Sequence, residues 1–301
     1  MIRRLLFAAA ACAAIPLILR PQPAHSVTAS PARSIQLPHI AVEVTGLGSP
    51  VILVPGLSSP RAVWDGIAPE LAKTHRVYLV QVNGFGGSDK PGDNVRPGVL
   101  AGVVEDIHAL IVEEKLGKPL LIGHSMGGLA GMMLAKAHPD DLAKLMVVDA
   151  LPWSGLLFGP NLTVAQVSPQ AAAMRDRMIA SYGKVPDKAQ ADATAAALAL
   201  KPDSRLKVSA WSRASDPRVT GLAFYDDLTT DLRADMAAIR TPITLVYPWS
   251  AAMPKERADG FYHAAFATTP NITYVPIADS AHFIMLDQPA AFAEVVGAFV
   301  K

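Results

Sequence analysis

Apolar residues along this chain fall into short runs bounded by glycine and proline, and the runs alternate with longer segments of helical spacing. Residues 50–54, 76–82, 119–122, 145–148, 241–247 and 271–277 read as strands. Most are apolar at successive positions rather than at alternate ones, the pattern of a strand covered on both faces. Residues 40–45 alternate instead, and Gly46-Leu47-Gly48-Ser49-Pro50 reads as a hairpin turn into the next strand. Residues 27–36 read as a flexible lead-in. Residues 97–116 have helical spacing, with Val103, Ile107, Leu110 and Ile111 on one stripe. Helices are also expected over 129–138 and 289–300. Repeated strand–helix alternation implies an α/β fold: a mostly parallel, doubly wound sheet with helices on both faces. Between 152 and 235 the strand runs vanish and helical patterns at 169–182 and 187–200 take over. This stretch reads as a helical cap inserted between two parts of the core, 27–151 and 236–301.

One junction carries chemistry. Gly123-His124-Ser125-Met126-Gly127-Gly128 stands between an expected strand and an expected helix. Strand, Gly-x-Ser-x-Gly, helix is the layout of a nucleophile elbow, in which small residues on both sides permit a tight turn. The turn pushes the Ser125 hydroxyl outward at the carboxyl end of the sheet. The backbone N–H of Met126 faces the same space, and the new helix adds its positive dipole end. The bland reading is a glycine turn, but strand before and helix after favour an activated serine.

Two further segments fit. Pro55-Gly56-Leu57-Ser58-Ser59 follows the strand at 50–54. A serine hydrolase takes a second oxyanion donor from a loop after an earlier strand, and the N–H of Leu57 suits that role. Ala278-Asp279-Ser280-Ala281-His282-Phe283 follows the strand at 271–277, so His282 falls in a strand-end loop, where the working groups of open α/β sheets collect. His108, His138 and His263 look helical or helix-terminal, and His124 lies inside the elbow, where packing or tuning suits it better than base chemistry.

With these residues in view the chain resembles the α/β-hydrolase family, serine esterase and lipase-like, with a helical cap. The resemblance rests on Val54-Pro55-Gly56-Leu57, Asn83-Gly84-Phe85-Gly86-Gly87-Ser88-Asp89-Lys90-Pro91, the elbow, and Ala281-His282-Phe283, in the family's order from about residue 39 onward. It implies Ser125 as nucleophile, His282 as base, and Leu57 and Met126 as the oxyanion hole. The usual acid position departs from the pattern. After the strand at 241–247 the chain reads Pro248-Trp249-Ser250-Ala251-Ala252-Met253-Pro254, with no carboxylate. Some family members place the acid one strand earlier, and here Asp149 stands at the end of 145–148. Asp149 is therefore the preferred acid, with Asp279 and Glu256 as alternatives. Trp153 and Phe158, with Leu157, Met174, Met178 and Trp211, are candidates to line an apolar acyl pocket, although core packing is the commoner role for any one of them.

Composition narrows the rest. The 301 residues are 51% hydrophobic and 18% charged, enough for one large core with a lid. The formal net charge of +1 and the lack of a basic stripe speak against nucleic acid. Arg3 and Arg4, an apolar run over 5–19 and Ala24-His25-Ser26 resemble a secretory signal peptide over residues 1–26. The expectation is a secreted or periplasmic protein, with a membrane anchor as the alternative. Contact with a membrane would come only through an uncleaved or lipidated N-terminus. Cys12, the one cysteine, lies in that segment, and removing it with Arg3, Arg4 and Arg20 makes the charge +1 − 3 = −2. Histidines and cysteines show no ligand spacing along the sequence, so no metal or cofactor is implied. Asn161-Leu162-Thr163 and Asn271-Ile272-Thr273 match a glycosylation pattern but carry no functional weight. The expected function is hydrolysis of a small carboxylic ester through an acyl-enzyme on Ser125. Thioester, lactone, amide or C–C cleavage, a cofactor-free haloperoxidase, and a non-catalytic ligand-binding protein remain open.

Overall fold

The computed structural model describes residues 33–88 and 90–301. The signal peptide read in residues 1–26, Cys12, and Asp89 of the glycine-rich loop lie outside the described residues. In the remainder, eight strands form one sheet in the order β1-β2-β4-β3-β5-β6-β7-β8. They are β1 (Arg33–Gln36), β2 (Ile40–Thr45), β3 (Ser49–Val54), β4 (His75–Val82), β5 (Leu120–His124), β6 (Lys144–Val148), β7 (Ile243–Pro248) and β8 (Ile272–Ile277). Pairings from β4 through β8 are all parallel; β1 and β2 add an antiparallel edge.

The helices are α1 (Ala68–Leu71), α2 (Val99–Glu113), α3 (Met126–Ala137), α4 (Val164–Ile179), α5 (Lys188–Leu198), α6 (Pro202–Ala214), α7 (Pro217–Thr229), α8 (Lys255–Ala265), α9 (Ile284–Asp287) and α10 (Pro289–Phe299). None is long and apolar enough to cross a membrane, among the described residues. The two faces of the sheet explain the continuous apolar runs. Along β3, Ile52 and Val54 pack with α2, α3 and α8, whereas Val51 and Leu53 pack with Trp64, α1 and α10. The same alternation divides Leu145 and Val147 from Met146 and Val148 on β6. Side chains at i and i+2 share a face, so two buried faces leave no polar phase to the pattern.

Two expectations at the N-terminal edge are corrected. The chain bends at Gly46 to Gly48, but β2 and β3 are not hairpin partners, because β4 lies between them and pairs with both. Part of the expected lead-in is ordered as β1, paired with β2 from Arg33↔Val44 to Gln36↔Ala41. Between β6 and β7, α4 begins five residues before the expected Pro169. Gln166 reaches back to accept the Thr163 N–H (2.9 Å) and hydroxyl (3.0 Å), a reciprocal cap that starts the helix there. Pro169 is then carried inside the helix.

The sheet changes direction beside β3. The chain leaves β3 to form β4 on one side and returns through α2 to form β5 on the other. Ligands of open α/β sheets sit at such a switch point, at the carboxyl ends of the strands. The four helices α4 to α7, between β6 and β7 in sequence, are tied to loops at this end. Asp216 donates its N–H to the Gly84 carbonyl (2.7 Å), the Gly86 N–H donates to Ser215 Oγ (2.8 Å), and Ser58 Oγ bonds Thr220 Oγ1 (3.0 Å).

Candidate active site

Ser125 follows β5 with φ 54° and ψ −124°, the strained turn expected of an elbow. Neighbouring groups hold it there. The Ser125 N–H extends the β5–β6 ladder to the Val148 carbonyl (2.9 Å), and the Ser125 carbonyl accepts from Gly128 (2.8 Å) and Leu129 (3.1 Å). A Cβ on Gly123 would collide with the Gly127 carbonyl oxygen, and one on Gly127 with the Val54 carbonyl oxygen. Only glycine lets strand, turn and helix close this tightly.

Asp149 stands one residue past β6, its N–H bonded to the Val246 carbonyl (2.8 Å), and its φ of 45° turns the chain away from the sheet. Its Oδ2 lies 2.7 Å from His282 Nδ1, although the two are 133 positions apart in sequence. Its Oδ1 accepts a hydrogen bond from the Tyr262 hydroxyl on α8. Burial pushes the Asp149 carboxyl up, but the His282 charge and hydrogen bonds from His282 and Tyr262 outweigh it, leaving the group below its ordinary range. An ionised carboxylate only accepts, so Nδ1 of His282 carries the proton and Nε2 is left as the free base. Burial, with the Asp149 charge beside it, holds the Tyr262 hydroxyl protonated well above its ordinary range.

The alternative acids are engaged elsewhere or exposed. Glu256 is an exposed residue in the first turn of α8. Asp279 turns the chain with a φ of 49°, and its carbonyl accepts from Gln288 Nε2 (2.7 Å). Asp259 accepts from the Tyr247 hydroxyl (2.7 Å) and from Lys255 (2.6 Å). Asp149 is the carboxylate that His282 bonds among the described residues.

The loop carrying His282 is fixed from three sides. His124 Nε2 lies 2.9 Å from the His282 carbonyl oxygen, so Nε2 is the protonated nitrogen, and the two rings are 4.6 Å apart between centroids. The residue before Ser125 thus braces the backbone of His282. Burial, and secondarily the His282 charge, push His124 down to about 3, so it stays neutral. Asp287, fully buried, accepts N–H bonds from Ala281 (3.1 Å), Leu200 (3.0 Å) and Lys201 (3.1 Å), joining the loop to the start of α6. Phe283 donates its N–H to the Leu198 carbonyl (3.2 Å).

The loop that carries Leu57 runs beside the elbow that carries Met126. Met126 is the first residue of α3, where an N–H has no carbonyl behind it in the helix. The Leu57 N–H donates to no backbone carbonyl among the described residues. A Cβ on Gly56 would come 2.9 Å from Ser125 Cβ and 2.8 Å from His124 Nδ1, so this loop passes directly against the elbow.

The pocket candidates fare differently. Trp153 is fully buried, donates its indole N–H to the Leu228 carbonyl (2.8 Å) and packs with Val167 and Ala171 under α4 and α7. Its indole N–H and its packing are thus engaged with the helices between β6 and β7. Phe158 is 62% exposed, just past a 3-10 helix. Trp211 approaches the site more nearly, with its ring 6.4 Å from that of Phe283. Local sequence did not single out Asp227, on α7, close enough to His282 to feel its charge. Burial pushes the Asp227 carboxyl up to about 6, against the opposing pull of the Ser154 hydroxyl and His282. Tyr262 was equally hidden, since a tyrosine in a helix gives no sign of its partner.

Comparisons with known proteins agree with this architecture. The chain is 22% identical over 254 residues to a pimeloyl-[acyl-carrier protein] methyl ester esterase of Yersinia enterocolitica, covering 83% of this chain and 93% of that one. It is 36% identical over 113 residues to the protein of the same description from Aeromonas hydrophila, but this match spans only 38% of this chain and 42% of the relative. An esterase of Thermogutta terrifontis superposes with a TM-score of 0.72 at 23% identity, over 89% of this chain and 98% of that one. The enol-lactonase of Burkholderia xenovorans superposes with a TM-score of 0.67 at 17% identity, over 87% and 96%. At these identities the solved structures speak to the fold. The description "Alpha/beta hydrolase family" matches residues 51–295, and the chain belongs to that family.

Proposed function

We propose that this protein is a serine hydrolase that cleaves a small carboxylic ester through an acyl-enzyme on Ser125. The observation that carries the reading is the 2.7 Å bond between His282 Nδ1 and Asp149 Oδ2, formed beside a strained serine elbow. In the proposed reaction the Ser125 Oγ attacks the ester carbonyl while His282 Nε2 takes its proton. The N–H groups of Leu57 and Met126 hold the oxyanion, each worth about 3 kcal/mol of barrier. His282 then returns the proton to the leaving alcohol. Water, deprotonated by the same imidazole, releases the acid. Asp149 holds the tautomer and balances the imidazolium charge.

The names of the esterase relatives support an ester over an amide or a C–C bond. The elbow serine speaks against a carboxylate-based dehalogenation, and the complete acid–base pair against a purely binding role. Export through residues 1–26 is part of the same proposal, resting on the charged start and apolar run. The test is hydrolysis of a short activated ester such as 4-nitrophenyl acetate. The wild type should turn over, and Ser125→Ala should fall to background while melting normally. Full activity in Ser125→Ala would reject the reading.

A further inference from the structure

A second cluster lies at the opposite end of the strands. α3 starts just after Ser125 and runs back for 12 residues, about 18 Å at 1.5 Å per residue, to His138 just past its end. There the His138 ring stacks on that of His108 from α2, with centroids 3.7 Å apart and planes 9° from parallel. Two carboxylates complete the group in a crossed arrangement. Asp141, three residues after His138, bonds Nδ1 of His108 (2.8 Å). Glu105, three residues before His108, lies 3.4 Å from Nε2 of His138. Each acid therefore reaches across to the imidazole of the other segment. The ligand atoms of His108, His138 and Asp141 all lie within 4.8 Å of one another.

We propose that His108, His138 and Asp141, with Glu105 as a fourth ligand, bind one divalent transition cation of the zinc class and clamp α2 to the end of α3. The donor set chooses the ion. Two imidazoles suit zinc, nickel or copper(II) over magnesium and calcium, which prefer oxygen alone. Two carboxylates neutralise a dication. Tetrahedral zinc, with bonds of about 2.0–2.2 Å, puts neighbouring ligand atoms about 3.4 Å apart. The ligand atoms of His108, His138 and Asp141 must close by at most about 1.4 Å, within the reach of side-chain rotation, and Glu105 turns in beside His138. A metal sits in the plane of each imidazole it binds, so the stacked rings splay on coordination; histidine χ2 is broad enough to allow this. Glu105 and His108 share one helical face at spacing i, i+3, the Glu-x-x-His arrangement that recurs in metal sites of helical bundles. His138 and Asp141 are held at the same spacing by a turn in which the Asp141 N–H donates to the His138 carbonyl (3.1 Å). The His108 and His138 side chains are 32% and 23% exposed, open to an ion from solvent. The sequence hid this group because the two histidines lie on separate elements and meet only through packing.

The test uses the untagged full chain, stripped with chelator and titrated with zinc by calorimetry and thermal melting. One ion per chain and a raised melting temperature are expected. His108→Gln and His138→Gln should each weaken binding at least tenfold. Glu105→Gln, an exposed change with little bearing on folding, should weaken it several-fold. His282→Ala should bind zinc as the wild type does, and none of the three cluster variants should alter ester turnover of the metal-free protein. Absence of zinc uptake by the wild type, equal uptake by the His108→Gln, His138→Gln double variant, or uptake lost only in His282→Ala would overturn the proposal.

Discussion

Asp149→Asn isolates the charge beside His282 while keeping the side-chain shape. In the proposed reaction the imidazolium stands against a carboxylate oxygen 2.7 Å from Nδ1. At an effective dielectric constant of about 20, two unit charges at that separation attract by about 6 kcal/mol. The asparagine oxygen can still accept from Nδ1, which returns about 1 kcal/mol. The remaining loss, about 4–5 kcal/mol, corresponds to roughly a thousandfold fall in kcat. Part of the cost is structural, because Asp149 accepts from both His282 and Tyr262 and one carboxamide oxygen cannot serve both donors in that way. The assay is steady-state hydrolysis of 4-nitrophenyl acetate, with circular dichroism and a thermal melt to verify folding. Glu256→Gln, Asp259→Asn and Asp279→Asn run beside it should stay within a few-fold of wild type. A folded Asp149→Asn with kcat within tenfold of wild type, or a thousandfold loss in one of the three controls, would refute the assignment.

Two other outcomes follow from the same geometry. Tyr262→Phe removes one of two donors to the Asp149 carboxylate, a charge-assisted bond worth about 1.5–3 kcal/mol; the melting temperature should fall and kcat drop by about tenfold, and no change in either would show the bond to be idle. Asp227 holds a proton in the folded state between its ordinary 3.8 and about 6, so its contribution to stability is full below 3.8 and falls as pH rises through 6. Asp227→Asn should then raise stability at pH 8 by up to about 3 kcal/mol and by almost nothing at pH 4; equal shifts at both pH values would contradict it.

How much of this the sequence disclosed depended on how local each signal was. The central strands were legible because both faces are buried and their residues are apolar at every position, as at Val51, Ile52, Leu53 and Val54. The elbow was legible because the glycines around Ser125 are a steric necessity of a turn only five residues long. β1 was not, since Arg33, Ser34 and Gln36 are exposed and mimic a loop. The pairing of β2 failed for another reason: hairpins are the local default, and here a strand 30 residues later intervenes. Asp149 could be preferred from its place after β6, but the bond that singles it out spans 133 positions. His124, Tyr262, Asp227 and Asp287 act through partners brought in by packing, and no spacing rule announces them. Trp153 likewise finds its partners at a distance, on α4 and α7.

The central claim is that Ser125 is an activated nucleophile, and an active-site-directed fluorophosphonate tests it most directly. Mass spectrometry of the digested adduct should find one label per chain, on Ser125, with labelling slowed by orders of magnitude in His282→Ala. A well-folded wild type that takes no label, or labels on another residue, would contradict the account.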